Sequence, residues 1–147
     1  MNRIIVEGTG SILLEDLRVG MRSRIAKTFG DRDLEMFGEL SEDRNPLHFS
    51  DEAAKGTIFG ERILHGMLTA SLFSGLIGER LPGYGTIYLS QNLTFLAPVR
   101  PGDEVIAEVC VSGINVDRNR VNLDCVAKIG EKTVIKGDAR VIAPTAN

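Results

Sequence analysis

The sequence predicts an α+β fold in which an antiparallel sheet wraps around one long apolar helix. Three observations carry this. The stretch from His65 to Gly78 (HGMLTASLFSGLIG) contains no Asp, Glu, Lys or Arg, and a helix that is apolar or small all round is a buried one. Beyond Leu81-Pro82-Gly83 the hydrophobic period changes to two, over 86–96, 104–112, 120–129 and 133–142. Linkers with turn chemistry join these segments: Pro98, Pro101-Gly102-Asp103, Asp117-Arg118-Asn119 and Gly130-Glu131-Lys132. The four segments read as a consecutive antiparallel meander. An early strand, an apolar helix and a meander bury the helix only if the sheet curls around it, the geometry called a hot-dog fold.

The elements follow in order. Residues 1–15 hold Ile4-Ile5-Val6, a Gly8-Thr9-Gly10 break and Ile12-Leu13-Leu14, which reads either as a short strand or as a loosely attached arm. The first firm strand runs from about Met21 to Phe29. Asp31 is a reasonable N-cap for a helix over Arg32–Leu40, with Leu34, Phe37 and Leu40 as its apolar stripe. Ser50-Asp51-Glu52 starts a short helical turn through Lys55. In the 65–78 helix, Leu68, Leu72 and Leu76 form a bulky stripe and Gly66, Ala70, Ser74 and Gly78 a small one. In the strands, Ile87, Leu89, Leu93 and Phe95 alternate with polar neighbours, as do Val105, Ala107, Val109 and Val111 and then Val121, Leu123, Cys125 and Ala127.

A chain of 147 residues is one domain's length, so 1–147 is read as a single domain. Its net charge of −3 excludes a general pull toward nucleic acid or anionic lipid. No apolar run reaches membrane-spanning length and no signal-peptide core is visible. Cys110 and Cys125 are too few for a disulfide framework and read as buried free thiols. A cytoplasmic location is the expectation.

The chemistry concentrates in Ser41-Glu42-Asp43-Arg44-Asn45-Pro46-Leu47-His48. Pro46 fixes its own φ and disfavours helix at Asn45, so a rigid loop is expected. In a folded-back loop Asp43 and His48 can reach one point. A carboxylate and an imidazole placed so can grip a water, one removing its proton and the other orienting it.

This run resembles the hydratase signature of the MaoC-like family, especially the (R)-specific enoyl-CoA hydratases. The resemblance continues through His65-Gly66-Met67, Leu72-Phe73-Ser74-Gly75, Leu81-Pro82-Gly83, Ile87-Tyr88-Leu89, Pro98-Val99 and Gly102-Asp103-Glu104. It spans about residue 16 to the C-terminus. Glu42 departs from it, standing where the family pattern has Gly. The resemblance implies reversible syn hydration of a trans-2-enoyl-CoA to an (R)-3-hydroxyacyl-CoA. Asp43 and His48 would then share the water, with Asp43 preferred as base and the division of roles left open. Gly66 at the helix N-terminus would offer its N–H to the thioester oxygen. Ser74 would position substrate, and Asn45 would brace the loop. The expected partners are an acyl-CoA substrate and a second copy of the chain, with no metal and no cofactor beyond the CoA that the substrate carries.

Three other readings share the fold: an acyl-CoA thioesterase, an acyl-carrier-protein dehydratase, and a non-catalytic acyl-CoA-binding protein. Both enzymes commonly place an acid on the central helix, where this chain has none before Glu79. His65 reads as a helix-start residue. Arg22, Arg24, Lys27, Lys55, Arg62 and Arg100 read as solvated charges that could reach CoA phosphates.

Overall fold

The computed structural model describes residues 4–146. The chain runs β1 (Arg22–Thr28), α1 (Asp31–Ser41), α2 (Pro46–Phe49), α3 (Asp51–Lys55), α4 (Gly66–Glu79), β2 (Ile87–Phe95), β3 (Glu104–Asn115), β4 (Arg120–Ile129) and β5 (Lys132–Ile142). The strands make one antiparallel sheet in the order β1-β3-β4-β5-β2. The expected meander therefore holds only for β3, β4 and β5. β2 lies at the far edge against β5, and β1 takes the place beside β3.

The segment after β2 explains the crossing. Leu96 and Ala97 still donate to the Val134 carbonyl at 2.8 and 3.3 Å, so the chain leaves β2 along β5. Pro98 and Pro101 then bring no amide hydrogens and the ladder stops. Farther on, Val99 accepts from Leu64 N at 2.7 Å and Gly102 donates to Phe29 O at 2.9 Å. The crossover thus passes the start of α4 and ends beside β1.

α4 packs its bulky stripe inward. Leu68, Leu72 and Leu76 are buried, with Phe73 and Ile77, in one core with Val105, Ala107, Val109 and Val111 of β3 and Val121, Leu123, Cys125 and Ala127 of β4. Each fully buried large apolar side chain contributes roughly 1.5–3 kcal/mol, which offsets the helix-propensity cost of Gly66, Gly75 and Gly78. The sequence predicts a helix buried all round, but one sheet covers only one face of it. Met67, Ser71, Ser74, Gly75 and Gly78 are exposed. The alternation in β2 likewise does not make it half-buried: Ile87, Leu89 and Phe95 are 56%, 44% and 49% exposed, since an edge strand lacks one neighbour.

Other elements differ in detail. Gly30, not Asp31, caps α1, and its N–H donates to the Asp33 carboxylate at 2.9 Å. Leu34 is buried, but Leu40 at the end of α1 is exposed. Of the cysteines only Cys125 is buried; Cys110 is half-buried, and burial pushes the Cys125 thiol up to about 11.

Residues 4–13 form an attached arm. Arg22 N donates to Ile4 O at 3.0 Å and Val6 N to Arg22 O at 2.7 Å, which pairs the arm with the start of β1 at Arg22. Farther along, Gly10 N donates to Glu79 O, Ile12 N to Pro82 O and Tyr84 N to Gly10 O. Gly83, at φ +93, lets the arm approach, because a Cβ there would stand 1.8 Å from Gly10 O.

Candidate active site

The loop around Asp43 is organised by short-range hydrogen bonds. Glu42 ends α1 in the left-handed region at φ 64. Ser41 Oγ donates to Phe37 O at 2.6 Å and accepts from Asp43 N at 3.1 Å. Asp43 Oδ1 accepts from Asn45 N at 3.2 Å, and Asn45 Oδ1 accepts from Leu47 N at 3.3 Å. The eight-residue stretch is thus not loop throughout. Asn45 caps α2 and Pro46 takes its first helical position, where a missing N–H costs nothing. The result keeps the Asp43 side chain exposed while His48 is 7% exposed.

The two histidines are oriented by carbonyls. His48 Nδ1 lies 2.8 Å from Ile63 O and His65 Nε2 lies 2.9 Å from Asp43 O. Each of these nitrogens donates, since a carbonyl oxygen only accepts, and this assigns both tautomers. His48 is left with a lone pair on Nε2 and His65 with one on Nδ1. The rings stack with centroids 4.0 Å apart and planes 29° apart. Phe37 and Phe49 close around His65 at 4.8 and 5.6 Å. Burial lowers the His65 pKa, which favours the neutral ring.

These groups stand on a cavity of about 480 Å³. Its lining includes Asp43, His48, His65, Gly66 and Thr69, with apolar walls from Ile58 and Phe59, from the crossover at Phe95–Val99, and from Ile135. One side-chain ligand atom from each of Asp43, His48 and His65 lies within 4.8 Å of the others. Two acceptors bonded to one water at about 2.8 Å stand roughly 4.6 Å apart, so the spacing suits a shared water.

Of the residues singled out from the sequence, Asp43, His48 and Gly66 meet at this cavity, and Asn45 adjoins it through Asp43. Gly66 opens α4, so its N–H is among those without a partner in the helix. A Cβ there would stand 2.6 Å from the Phe95 ring. Ser74 is not brought to the cavity of this chain; it is exposed farther along α4. Arg22 and Arg24 pair with Glu108, Arg62 with Asp31 and Asp51, and Arg100 with Glu61. Reading the sequence missed His65 as more than a helix start. Its only signal was a second imidazole at the entry to a charge-free helix.

A family model described as a MaoC like domain matches residues 18–134. The chain belongs to the MaoC-like family. Among MaoC-like relatives, the (R)-specific enoyl-CoA hydratase of Aeromonas caviae is 45% identical over 131 residues, 88% of this chain and 98% of that protein. The 3-hydroxybutyryl-CoA dehydratase of Methylorubrum extorquens is 43% identical over 133 residues, covering 90% of this chain and 85% of the relative. The solved structure of the A. caviae (R)-hydratase involved in PHA biosynthesis superposes with a TM-score of 0.85, covering 88% of this chain and 99% of that one. In this MaoC-like chain the matched span holds the whole cavity lining except Ile135. The arm of residues 4–13 lies before it.

Proposed function

We propose that this protein catalyses the reversible syn addition of water to a trans-2-enoyl-CoA, giving an (R)-3-hydroxyacyl-CoA. The observation that carries the reading is the meeting of Asp43, His48 and the Gly66 amide on one apolar-walled cavity. The likeness to relatives named for this reaction supports it.

The geometry suggests how the reaction runs. The Asp43 carboxylate and His48 Nε2 both present lone pairs, so one water donates a hydrogen to each. Its oxygen attacks C3 while Asp43, the preferred base, takes a proton. The electron pair of the C2–C3 double bond moves toward the thioester, and Gly66 N–H stabilises the enolate oxygen. Both groups begin as acceptors, so the proton delivered to C2 is the one just removed from the water. Water and proton then arrive on one face. Asn45 holds Asp43 and α2 in register, and Ser74 completes the substrate path only where a second copy of the chain covers α4.

That second copy is part of the proposal. The apolar edge of β2 (Ile87, Leu89, Phe95) and the open face of α4 are where a homodimer would form. Two free thiols suit a reducing cytoplasm. No helix among the described residues is long and apolar enough to cross a membrane.

The test is hydration of crotonyl-CoA, followed by loss of the enoyl absorbance and by chiral analysis of the product. Wild type should hydrate, and Asp43→Asn and His48→Gln should each lose roughly 10²–10⁴-fold. Full activity in either variant refutes the assignment. Free CoA thiol without hydration identifies a thioesterase, and turnover restricted to acyl-carrier-protein substrates identifies the dehydratase. Light scattering at micromolar concentration should give twice the chain mass.

A further inference from the structure

Among the described residues, two polar atoms in the cavity wall are buried without a hydrogen-bond partner: His65 Nδ1 and Thr69 Oγ1. His65 is 2% exposed and Thr69 1%, so neither atom meets solvent. Orphaned polar atoms at this depth are costly and call for a partner. These two are complementary. His65 Nδ1 carries a lone pair, because Nε2 already donates to Asp43 O. The Thr69 hydroxyl has a hydrogen to give. They belong to adjacent turns of one helix start, and Thr69 N already donates to His65 O at 3.3 Å. His65 caps α4 and Thr69 lies in its first turns, both on the cavity wall, so one buried water can bridge the two side chains.

We propose that Thr69 is a positioning residue for the catalytic loop. Its hydroxyl is coupled to His65 Nδ1 through one buried water, and so holds His65 as the Nε2–H tautomer that anchors the Asp43 main chain. The order of donation is Thr69 Oγ–H to the bridging water, the water to His65 Nδ1, then His65 Nε2–H to Asp43 O, with the Asp43 carboxylate left free for the attacking water. Thr69 makes no hydrogen bond to the attacking water and acts only through His65. The kinetic part of this proposal rests on the hydratase reading; the structural link does not.

The experiment compares wild type with Thr69→Val, which keeps the shape and removes the hydroxyl, and with Thr69→Ser, which restores it. The expected result is a fall in kcat on the order of tenfold in Thr69→Val, with KM little changed and recovery in Thr69→Ser. The chain has 2 histidines, so nitrogen-15 NMR of labelled imidazoles resolves both rings, with His48→Gln assigning them. Wild type should show His65 Nδ1 as an unprotonated nitrogen accepting a hydrogen bond, and Thr69→Val should move it to the position of a free one. Thr69→Val should also lower the melting temperature, whereas removal of an unbonded hydroxyl would raise it. An unchanged nitrogen spectrum together with a raised melting temperature overturns the proposal. If wild type hydrates no enoyl-CoA, the hydratase reading fails while the spectrum still decides the Thr69–His65 link.

Discussion

His65 donates through Nε2 to the backbone carbonyl of Asp43 at 2.9 Å. The residue that begins the central helix therefore also holds the loop carrying the acidic group. The same ring stacks on His48, so both proposed catalytic side chains depend on an imidazole that has no direct part in the chemistry.

The pH dependence of stability follows from this burial. Desolvation depresses the folded-state pKa of His65 below its ordinary 6.5. As pH falls through that value, the unfolded chain takes up a proton that the folded chain refuses, so stability falls until the folded value is reached. The slope is at most about 1.4 kcal/mol per pH unit. Urea melts of wild type and His65→Gln from about pH 7.5 to 5.5 should differ in slope, wild type being the steeper. Parallel curves would show that His65 titrates alike in both states.

Glu42 sits at φ 64 where α1 ends, a conformation that costs an L-residue roughly 1–2 kcal/mol. Glycine is the residue that commonly ends helices this way. Glu42→Gly should raise unfolding stability by about 0.5–1 kcal/mol, the gain being reduced by the entropy of glycine in the unfolded chain. Hydration activity should be retained. A destabilised Glu42→Gly variant would mean that the Glu42 side chain contributes more than the strain costs.

Gly66→Ala tests the oxyanion assignment. Its methyl would stand 2.6 Å from Phe95 Cε1, so the ring must swing. Phe95 is about half exposed and can move, which keeps the stability loss within about 1 kcal/mol, alanine being the better helix former. The displaced ring enters the space proposed for the thioester. kcat/KM for crotonyl-CoA should fall by at least about tenfold, and an unchanged value would place the thioester elsewhere.

Gly83→Ala probes the arm. The new Cβ would overlap Gly10 O at 1.8 Å from a backbone at φ +93. Neither strain is relieved unless the arm lifts, at a cost of about 2 kcal/mol or more. Hydrogen exchange at the amides of Gly10, Ile12 and Tyr84 should accelerate together. Exchange confined to Gly83 would mean that the arm is held by its contacts with β1 instead.

Much of this molecule is legible in its sequence. The charge-free run marks α4 and the alternation marks β3, β4 and β5, whereas the sequence marks Asp43 to His48 only as loop and not the start of α2 at Pro46. These features are local, since hydrophobic period and turn chemistry report on a residue's near neighbours in the chain. Tertiary structure decided the rest. The same alternating pattern leaves Val105 buried and Ile87 exposed, because burial depends on which strand lies alongside, and proline-broken pairing sends β2 to the far edge. Leu40 and Ser74 face outward for a similar reason: one chain supplies only one sheet to cover its helices. The cavity walls come from Ile58, Phe95 and Ile135, distant in sequence and joined only by folding. His65 acquires its role from a carbonyl 22 residues away, a partner that no spacing rule could name.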